Sequence, residues 1–460
     1  MHSFSFYVKN LFSRKLYVLH LMLKHVKNTR ATLMKIYIQG FGCSSSLADS
    51  EVLAGCLAEA GHSIVSDLEK SDLVIYNTCA VKGPTEDRMV SLLKRIPKET
   101  KLIVAGCLPL INLERLRKEV FFNGVVGPAF GRKIVDAVED VSLGKPVVAL
   151  ENVSTVRPEL DLPRIRVNPQ IGIIPISYGC KGSCTYCCVR FARGRLRSYP
   201  ISEIIGAVKK ALDEGIREFW LTSQDTACYG EDISSDLPAL LQKICDINDK
   251  FLVRVGMMNP HNAYPLTETL FTAFKDDKVF KFLHLPVQSG DAKILSAMNR
   301  GYSTEDFMKT VASFRRAFPL STVATDVIVG FPEETQEAFR NTCHLVKVVQ
   351  PDIVNLSKFF ARPRTRAKTF KQVDPSIVKL RSRTLSNVIR QISLERNSSW
   401  IGWRGNILVD ETGKNGLLIG RNFAYKPVVV NSTNRALLGS SVSITVKSAS
   451  QSCLMGEFSS

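Results

Sequence analysis

Ile171-Gly-Ile-Ile-Pro-Ile-Ser-Tyr-Gly179 runs directly into Cys180-Lys-Gly-Ser-Cys184-Thr-Tyr-Cys187. The first stretch is almost continuously apolar and ends in glycine, the pattern of a buried strand that closes in a turn. The second puts three thiols within eight residues on the loop leaving that strand. Such a C-x3-C-x2-C run can wrap one corner of an iron–sulfur cubane and ligate three irons, leaving the fourth open to a small molecule. Zinc is the competing reading, although zinc pairs usually come as C-x2-C with a second pair elsewhere. Cys188 adjoins Cys187 and could shift the ligand set by one residue; the x3/x2 spacing selects Cys187.

The chain holds twelve cysteines in 460 residues. A chain of this size with no secretory signal does not need disulfides, so the thiols point to metal chemistry in a reducing, cytoplasmic compartment. Cys43 follows the strand-like run Lys35–Gln39, Cys79 follows Leu73–Tyr76, and Cys107 follows Leu102–Val104. Helical stretches such as Asp49–Gly61 and Thr85–Lys94 lie between them, and alternation of β and α implies a parallel sheet. Such sheets build sites along the carboxyl ends of their strands. Alone, each of these cysteines reads as ordinary packing; in a shared register they point to a second cluster. Cys56, Cys188, Cys228, Cys245, Cys343 and Cys453 show no such arrangement and read as small apolar residues.

Length predicts two to four domains, and 45% apolar with 23% charged residues is the balance of a globular chain. No apolar run reaches the roughly 18–20 residues of a membrane span, and the end Gln451–Ser460 reads as a short polar stretch with no tail anchor. The formal charge of +18 is concentrated. Residues 1–48 hold seven basic and no acidic residues, and residues 358–404 hold twelve basic residues against Asp374 and Glu395. A localised basic stripe is the footprint of a polyanion binder; a solvated charged face is the bland alternative. Residues 1–33 read either as a misassigned start or as a targeting segment, and the folded chain is expected to begin at Met34.

Around these cysteines the sequence resembles a family. The C-x3-C-x2-C after a strand is similar to the radical S-adenosylmethionine (SAM) superfamily. The triad Cys43, Cys79 and Cys107 in a preceding α/β region resembles the methylthiotransferases within it. Supporting stretches include Asn77–Lys82, Ala192–Pro200, Leu221–Gly230, Arg254–Pro260, His284–Gly290, Met298–Tyr302 and Ala324–Glu334. The Ala-Arg-Gly-x-Leu-x-Ser-Tyr-Pro run and the Leu160-Asp-Leu-Pro163 lead-in look like the archaeal and eukaryotic branch, which acts on N6-threonylcarbamoyladenosine at position 37 of tRNA.

The resemblance implies two 4Fe-4S clusters and SAM. The open iron of the Cys180/Cys184/Cys187 cluster is implied to chelate SAM and to deliver the electron that cleaves it to a 5′-deoxyadenosyl radical. The Cys43/Cys79/Cys107 cluster is implied to deliver sulfur, and a further SAM the methyl group. Ser223, Gln224 and Asp225 end the apolar strand Glu218–Thr222, so they should face a barrel mouth where the polar groups of SAM sit. Gln288 and Asp326 are expected at comparable strand ends, Val327–Pro332 in a tight turn, and Tyr186 against adenine. For each polar residue the alternative is a capping or rim hydrogen bond. His62, His261, His284 and His344 have no ligand spacing and read as structural.

The expected architecture is α/β. It comprises an N-terminal parallel α/β sheet over 34–150, a partial (β/α) barrel over 165–395 and a small C-terminal β-barrel, the TRAM module, over 396–450. Ile407–Asp410, Gly416–Gly420, Pro427–Asn431 and Val442–Val446 read as its strands. Arg421, Phe423, Tyr425 and Lys426 pair cations with aromatics in a manner suited to RNA, the alternative being barrel core; the basic stretch 358–383 is expected to extend the same surface. Two departures from the family stand out: Arg364 in place of glycine in Arg362-Pro-Arg-Thr365, and Ser44-Ser-Ser46 after Cys43. The implied partners are the tRNA anticodon loop and an electron donor such as ferredoxin or flavodoxin. The sulfur source stays open. Three readings compete with this one: isopentenyladenosine tRNA as substrate, a ribosomal-protein aspartate as substrate, or an RNA-binding protein with structural clusters.

Overall fold

Short apolar strands alternate with helices through the first third of the chain, and in the computed structural model they form one twisted layer. The structure describes residues 33–81, 83–150 and 157–459, so the extension read at 1–33 lies outside the described residues except for Leu33. Strands β1 (Lys35–Gly40), β2 (Ser63–Val65), β3 (Leu73–Thr78), β4 (Lys101–Gly106), β5 (Gly124–Val126) and β6 (Val147–Ala149) lie in the order β2-β1-β3-β4-β5-β6. Every neighbouring pair is parallel. Side chains alternate across the sheet. Leu73 and Ile75 pack with Val52, Leu57 and Val138 on one face, while Val74 and Tyr76 pack with Met89, Leu93 and Leu116 on the other. Both faces are covered, which is why β3 reads as an unbroken apolar run.

The central region splits into two parallel sheets. β7 (Ile171–Pro175), β10 (Glu218–Thr222) and β11 (Leu252–Val255) pair in the order β11-β10-β7. β12 (Phe282–His284), β13 (Thr322–Val329) and β14 (Ile353–Lys358) follow as β12-β13-β14. A bridge between Val253 and Val279 carries the curve from one set to the other. The result is an open, six-stranded barrel wall with helices outside it. A two-stranded antiparallel pair, β8 (Ser177–Tyr178) with β9 (Arg197–Ser198), brackets the cysteine loop. The long helix Pro375–Ser398 starts on Asp374, whose side chain accepts from Ser376 N, and buries Val378, Leu385 and Ile392 at heptad spacing.

The last region is a closed barrel, with β15 (Arg404–Thr412), β16 (Leu418–Arg421), β17 (Pro427–Val430), β18 (Ser441–Ala449) and β19 (Leu454–Phe458) in the order β15-β16-β17-β19-β18. Here the structure departs from the sequence reading. Leu454–Phe458 is the strand that closes the barrel, pairing with both β17 and β18, so the barrel runs past residue 450. Its signal is weak because only Leu454 and Gly456 face inward, and glycine carries no apolar side chain.

A second correction concerns the motif read as RNA-facing. Lys426 is 2% exposed, and its Nζ donates to Asp352 Oδ1 at 2.9 Å and Asn397 Oδ1 at 2.8 Å. Arg421 pairs with Asp410 and Glu411. The Tyr425 ring sits 4.9 Å from Phe280 and 5.1 Å from Phe282, and Phe423 packs on Trp400 and Trp403. A buried cation needs a partner. Lys426 and Tyr425 therefore dock the small barrel against the central one, while Arg421 and Phe423 are tied within the small barrel and its lead-in.

Candidate active site

β1, β3 and β4 are adjacent in the sheet, so the residues just past their carboxyl ends converge. Cys43 precedes helix Ser44–Glu59, Cys79 follows β3, and Cys107 opens helix Cys107–Glu119. Gly42 makes this approach possible. It adopts φ +108°, and a Cβ there would lie 2.7 Å from Cys79 Cβ and 2.9 Å from Cys79 Sγ. Cys180, Cys184 and Cys187 lie on the loop after β7 and β8. A Cβ on Gly182 would stand 3.3 Å from Cys180 Sγ and 3.8 Å from Cys184 Sγ, so the glycine leaves the space between these thiols open.

Both triads line one cavity of about 700 Å³. Tyr186, Ser223, Gln224, Asp225, Gln288 and Asp326 line it too, so all twelve residues singled out in the sequence meet there. Cys188 does not. Its Sγ turns away to Ala80 O at 3.2 Å.

Helix Ser44–Glu59 brings the two triads together. Leu47 and Ala48 pack on Ile171, Ile173 and Trp220 of the central barrel. Behind them Tyr178 donates to Asp49 Oδ1 at 2.7 Å, while Arg193 pairs with Asp49 Oδ2 at 2.7 Å, with both charged groups buried. Arg362 adds a further tie, a buried ion pair with Glu86 of helix Gly83–Leu93.

Burial opposes ionisation of the thiols. It pushes Cys107 and Cys187 up to about 12 and Cys180 up to about 11. Such thiols stay protonated near neutral pH unless a cationic centre holds them as thiolates. Among the described residues no three His, Cys, Asp or Glu side chains are placed to hold a single metal ion. A cubane makes a different demand, since each thiolate takes a separate iron. The all-sulfur donor set of each triad fits such a cluster.

The polar lining divides into two groups. Ser223, Gln224 and Asp225 have internal partners. Asp225 N donates to Ser223 Oγ, and Gly179 N donates to Gln224 Oε1 at 2.7 Å. Asp225 accepts from Ala227 N, Asn259 N and Asn262 Nδ2. Burial nonetheless raises its pKa. Gln288 and Asp326 are not at strand ends as expected: Asp326 lies within β13, and Gln288 lies past β12, bridged to Val327. Gln288 adopts φ 70°, a costly conformation for a non-glycine residue. The turn expected over Val327–Pro332 begins only at Gly330, because Val327 and Val329 belong to β13.

Three side chains of the site were not singled out by their sequence. His284, read as structural, lines the cavity with Nε2 2.9 Å from Asp326 Oδ2. Arg300 is 7% exposed and donates from Nη1 to Cys184 Sγ at 3.3 Å. Arg193, 2% exposed, faces Cys107. Both arginines sit in stretches that carry the family resemblance, but nothing local in sequence shows that a guanidinium folds back onto a thiol.

The two regions that carry the triads each match a known family. Residues 174–346 match the model of the radical SAM superfamily, and residues 35–127 match that of uncharacterized protein family UPF0004. A probable threonylcarbamoyladenosine tRNA methylthiotransferase of Pyrococcus abyssi is 40% identical over 92% of this chain and 99% of its own length. The threonylcarbamoyladenosine tRNA methylthiotransferase of Homo sapiens is 35% identical over 92% of this chain and 74% of its own. Among solved structures, the radical SAM methyltransferase TsrM of Kitasatospora setae, with cobalamin and a 4Fe-4S cluster bound, superposes with a TM-score of 0.51. It is 14% identical over 73% of this chain and 77% of its own, a likeness of fold alone. At 35–40% identity to these methylthiotransferases over 92% of its length, and with the radical SAM match across its cysteine loop, the chain belongs to the threonylcarbamoyladenosine tRNA methylthiotransferase family of radical SAM enzymes.

Proposed function

We propose that this enzyme transfers a methylthio group to C2 of N6-threonylcarbamoyladenosine at position 37 of tRNA, using SAM and two 4Fe-4S clusters. The observation that carries the reading is the meeting of both cysteine triads in a single cavity. Cys180, Cys184 and Cys187 would hold one cluster, and Cys43, Cys79 and Cys107 the other. Such centres, with SAM, would supply a carbon radical able to take hydrogen from an unactivated adenine carbon and the sulfur to replace it, a further SAM giving the methyl group.

The chain's own residues bind and orient. Gln224 pins the start of the cysteine loop through Gly179 N. Asp225 ties the end of β10 to Asn259 and Asn262 beyond β11. Tyr186, packed edge-on against Phe331, offers its ring to adenine. The Gln288 amide and Asp326 would take the polar groups of SAM. Arg300 puts a positive charge beside the Cys180/Cys184/Cys187 triad, offsetting thiolate charge where water is excluded; Arg193 beside Cys107 is already paired with Asp49.

The three modules of this reading are the sheet over 34–150, the radical SAM core over 165–395 and the small barrel from 396. A ferredoxin- or flavodoxin-type donor in the cytoplasm would supply electrons. Among the described residues no helix is long and apolar enough to cross a membrane.

Offering the reconstituted enzyme three substrates in parallel tests the choice: tRNA carrying the threonylcarbamoyl base, tRNA carrying the isopentenyl base, and ribosomal protein. Mass spectrometry of the digests should find a 2-methylthio product only on the first. A product on the isopentenyl base, or on an aspartate, would overturn the substrate assignment and leave the chemistry standing.

A further inference from the structure

We propose that the anticodon loop is gripped at the lip of the cavity, by Phe360 and the basic strip Arg190, Arg364, Arg366 and Lys368, and not by the Gly420–Pro427 stretch of the small barrel. The inference rests on the tRNA substrate argued above.

Phe360 lines the cavity and is 46% exposed. One side of its ring lies on Gly83, where any Cβ would overlap it, so that side is fixed and the rest is open. Behind it Arg362 is buried and paired with Glu86, which stiffens the segment instead of leaving a cation free. The Arg364 guanidinium lies 4.5 Å from the centre of the Phe191 ring in helix Val189–Arg193, and Ala367 N donates to Thr185 O of the cysteine loop at 2.9 Å, which holds this segment beside the loop and helix. Val189 and Arg193 of that helix also line the cavity. Arg190, Arg364, Arg366 and Lys368 are exposed, and none makes an ion pair among the described residues. Residues 356–373 contain no carboxylate.

An aromatic face beside unpaired cations is what an unstacked RNA strand requires: the ring stacks a base and the cations take flanking phosphates. A base that enters a cavity must leave its own stack, so its neighbours have to be held at the lip. In the small barrel's motif Phe423 is 36% exposed but has no free cation within the motif beside it. There Lys426 and Arg421 are neutralised by Asp352, Asp410 and Glu411, and Tyr425 is buried.

The test is binding of a fluorescent anticodon stem–loop, followed by anisotropy. Phe360→Ala should weaken binding about tenfold, and Phe360→Trp should restore it, which separates lost stacking from misfolding. The double variant Arg366→Ala/Lys368→Ala should bind more weakly at low salt. Its log–log salt dependence should flatten by roughly 1.4, the contribution of two single-strand phosphates. Lys414→Ala/Arg435→Ala, on exposed positions of the small barrel, should leave binding unchanged. Full affinity in the Phe360 and Arg366/Lys368 variants would overturn the inference, as would a loss confined to the barrel variant. Failure of the unaltered enzyme to bind any stem–loop would instead sink the tRNA reading itself.

Discussion

Cys187 and Cys188 are adjacent in the chain but face different surroundings. Cys187 lines the cavity, whereas Cys188 is 1% exposed and donates its thiol proton to Ala80 O. Cys187→Ala should therefore cut the iron bound per chain by about half, one cluster of two, while Cys188→Ala leaves it unchanged. Iron and sulfide assays on anaerobically reconstituted protein decide this; a loss confined to Cys188→Ala would move the ligand to Cys188. Spacing alone made this distinction legible, because x3/x2 is a property of sequence. The placement of Arg364 was half legible. Arginine stands where the resemblance implies glycine, and the backbone there adopts the left-handed φ of 65°. That conformation costs about 1–2 kcal/mol for a residue with a Cβ, offset in part by the contact with Phe191.

At the scale of elements, the junction between the small barrel and the core depends on Asp352. Fully buried, its carboxylate takes Lys426 Nζ at 2.9 Å and Arg396 Nε at 3.1 Å. Burial by itself would raise its pKa, but the charges of Lys426 and Arg396 outweigh that and hold it below the usual carboxylate range. A group depressed in the folded state stabilises it above the unfolded pKa of about 3.9 and loses that contribution as pH falls through the folded value. Asp352→Asn should leave three cations, Lys426, Arg396 and Arg315, against a neutral amide and cost about 3–5 kcal/mol. Denaturant melts at neutral pH should show that loss. The gap between variant and parent should close below about pH 4; a gap independent of pH would remove the charge from the explanation. None of this was legible beforehand. Asp352 and Lys426 lie 74 residues apart, and composition cannot tell a cation that binds RNA from one that neutralises a buried carboxylate. Strands β1, β3 and β4 of the parallel sheet, by contrast, were plain, because each is an apolar run that ends near a cysteine; the three-residue strands β2, β5 and β6, with no such marker, were not read.

For the whole molecule, the arrangement that matters is the convergence of two modules on one cavity. Helix Ser44–Glu59 against β7, the Tyr178–Asp49–Arg193 cluster and the Glu86–Arg362 pair hold the sheet edge of one over the barrel mouth of the other. The sequence showed each triad and the kind of element beneath it. It could not show that they share a chamber, since that depends on docking contacts between distant segments. If the shared chamber is the basis of the activity, the two triads should be separable in function. The most direct measurement is simultaneous quantitation of 5′-deoxyadenosine and the 2-methylthio nucleoside formed by reconstituted enzyme on threonylcarbamoyladenosine tRNA. Unaltered enzyme should form both, Cys184→Ala neither, and Cys79→Ala deoxyadenosine alone. Methylthio product from Cys79→Ala would contradict the account, because sulfur would then be reaching the base without the second triad.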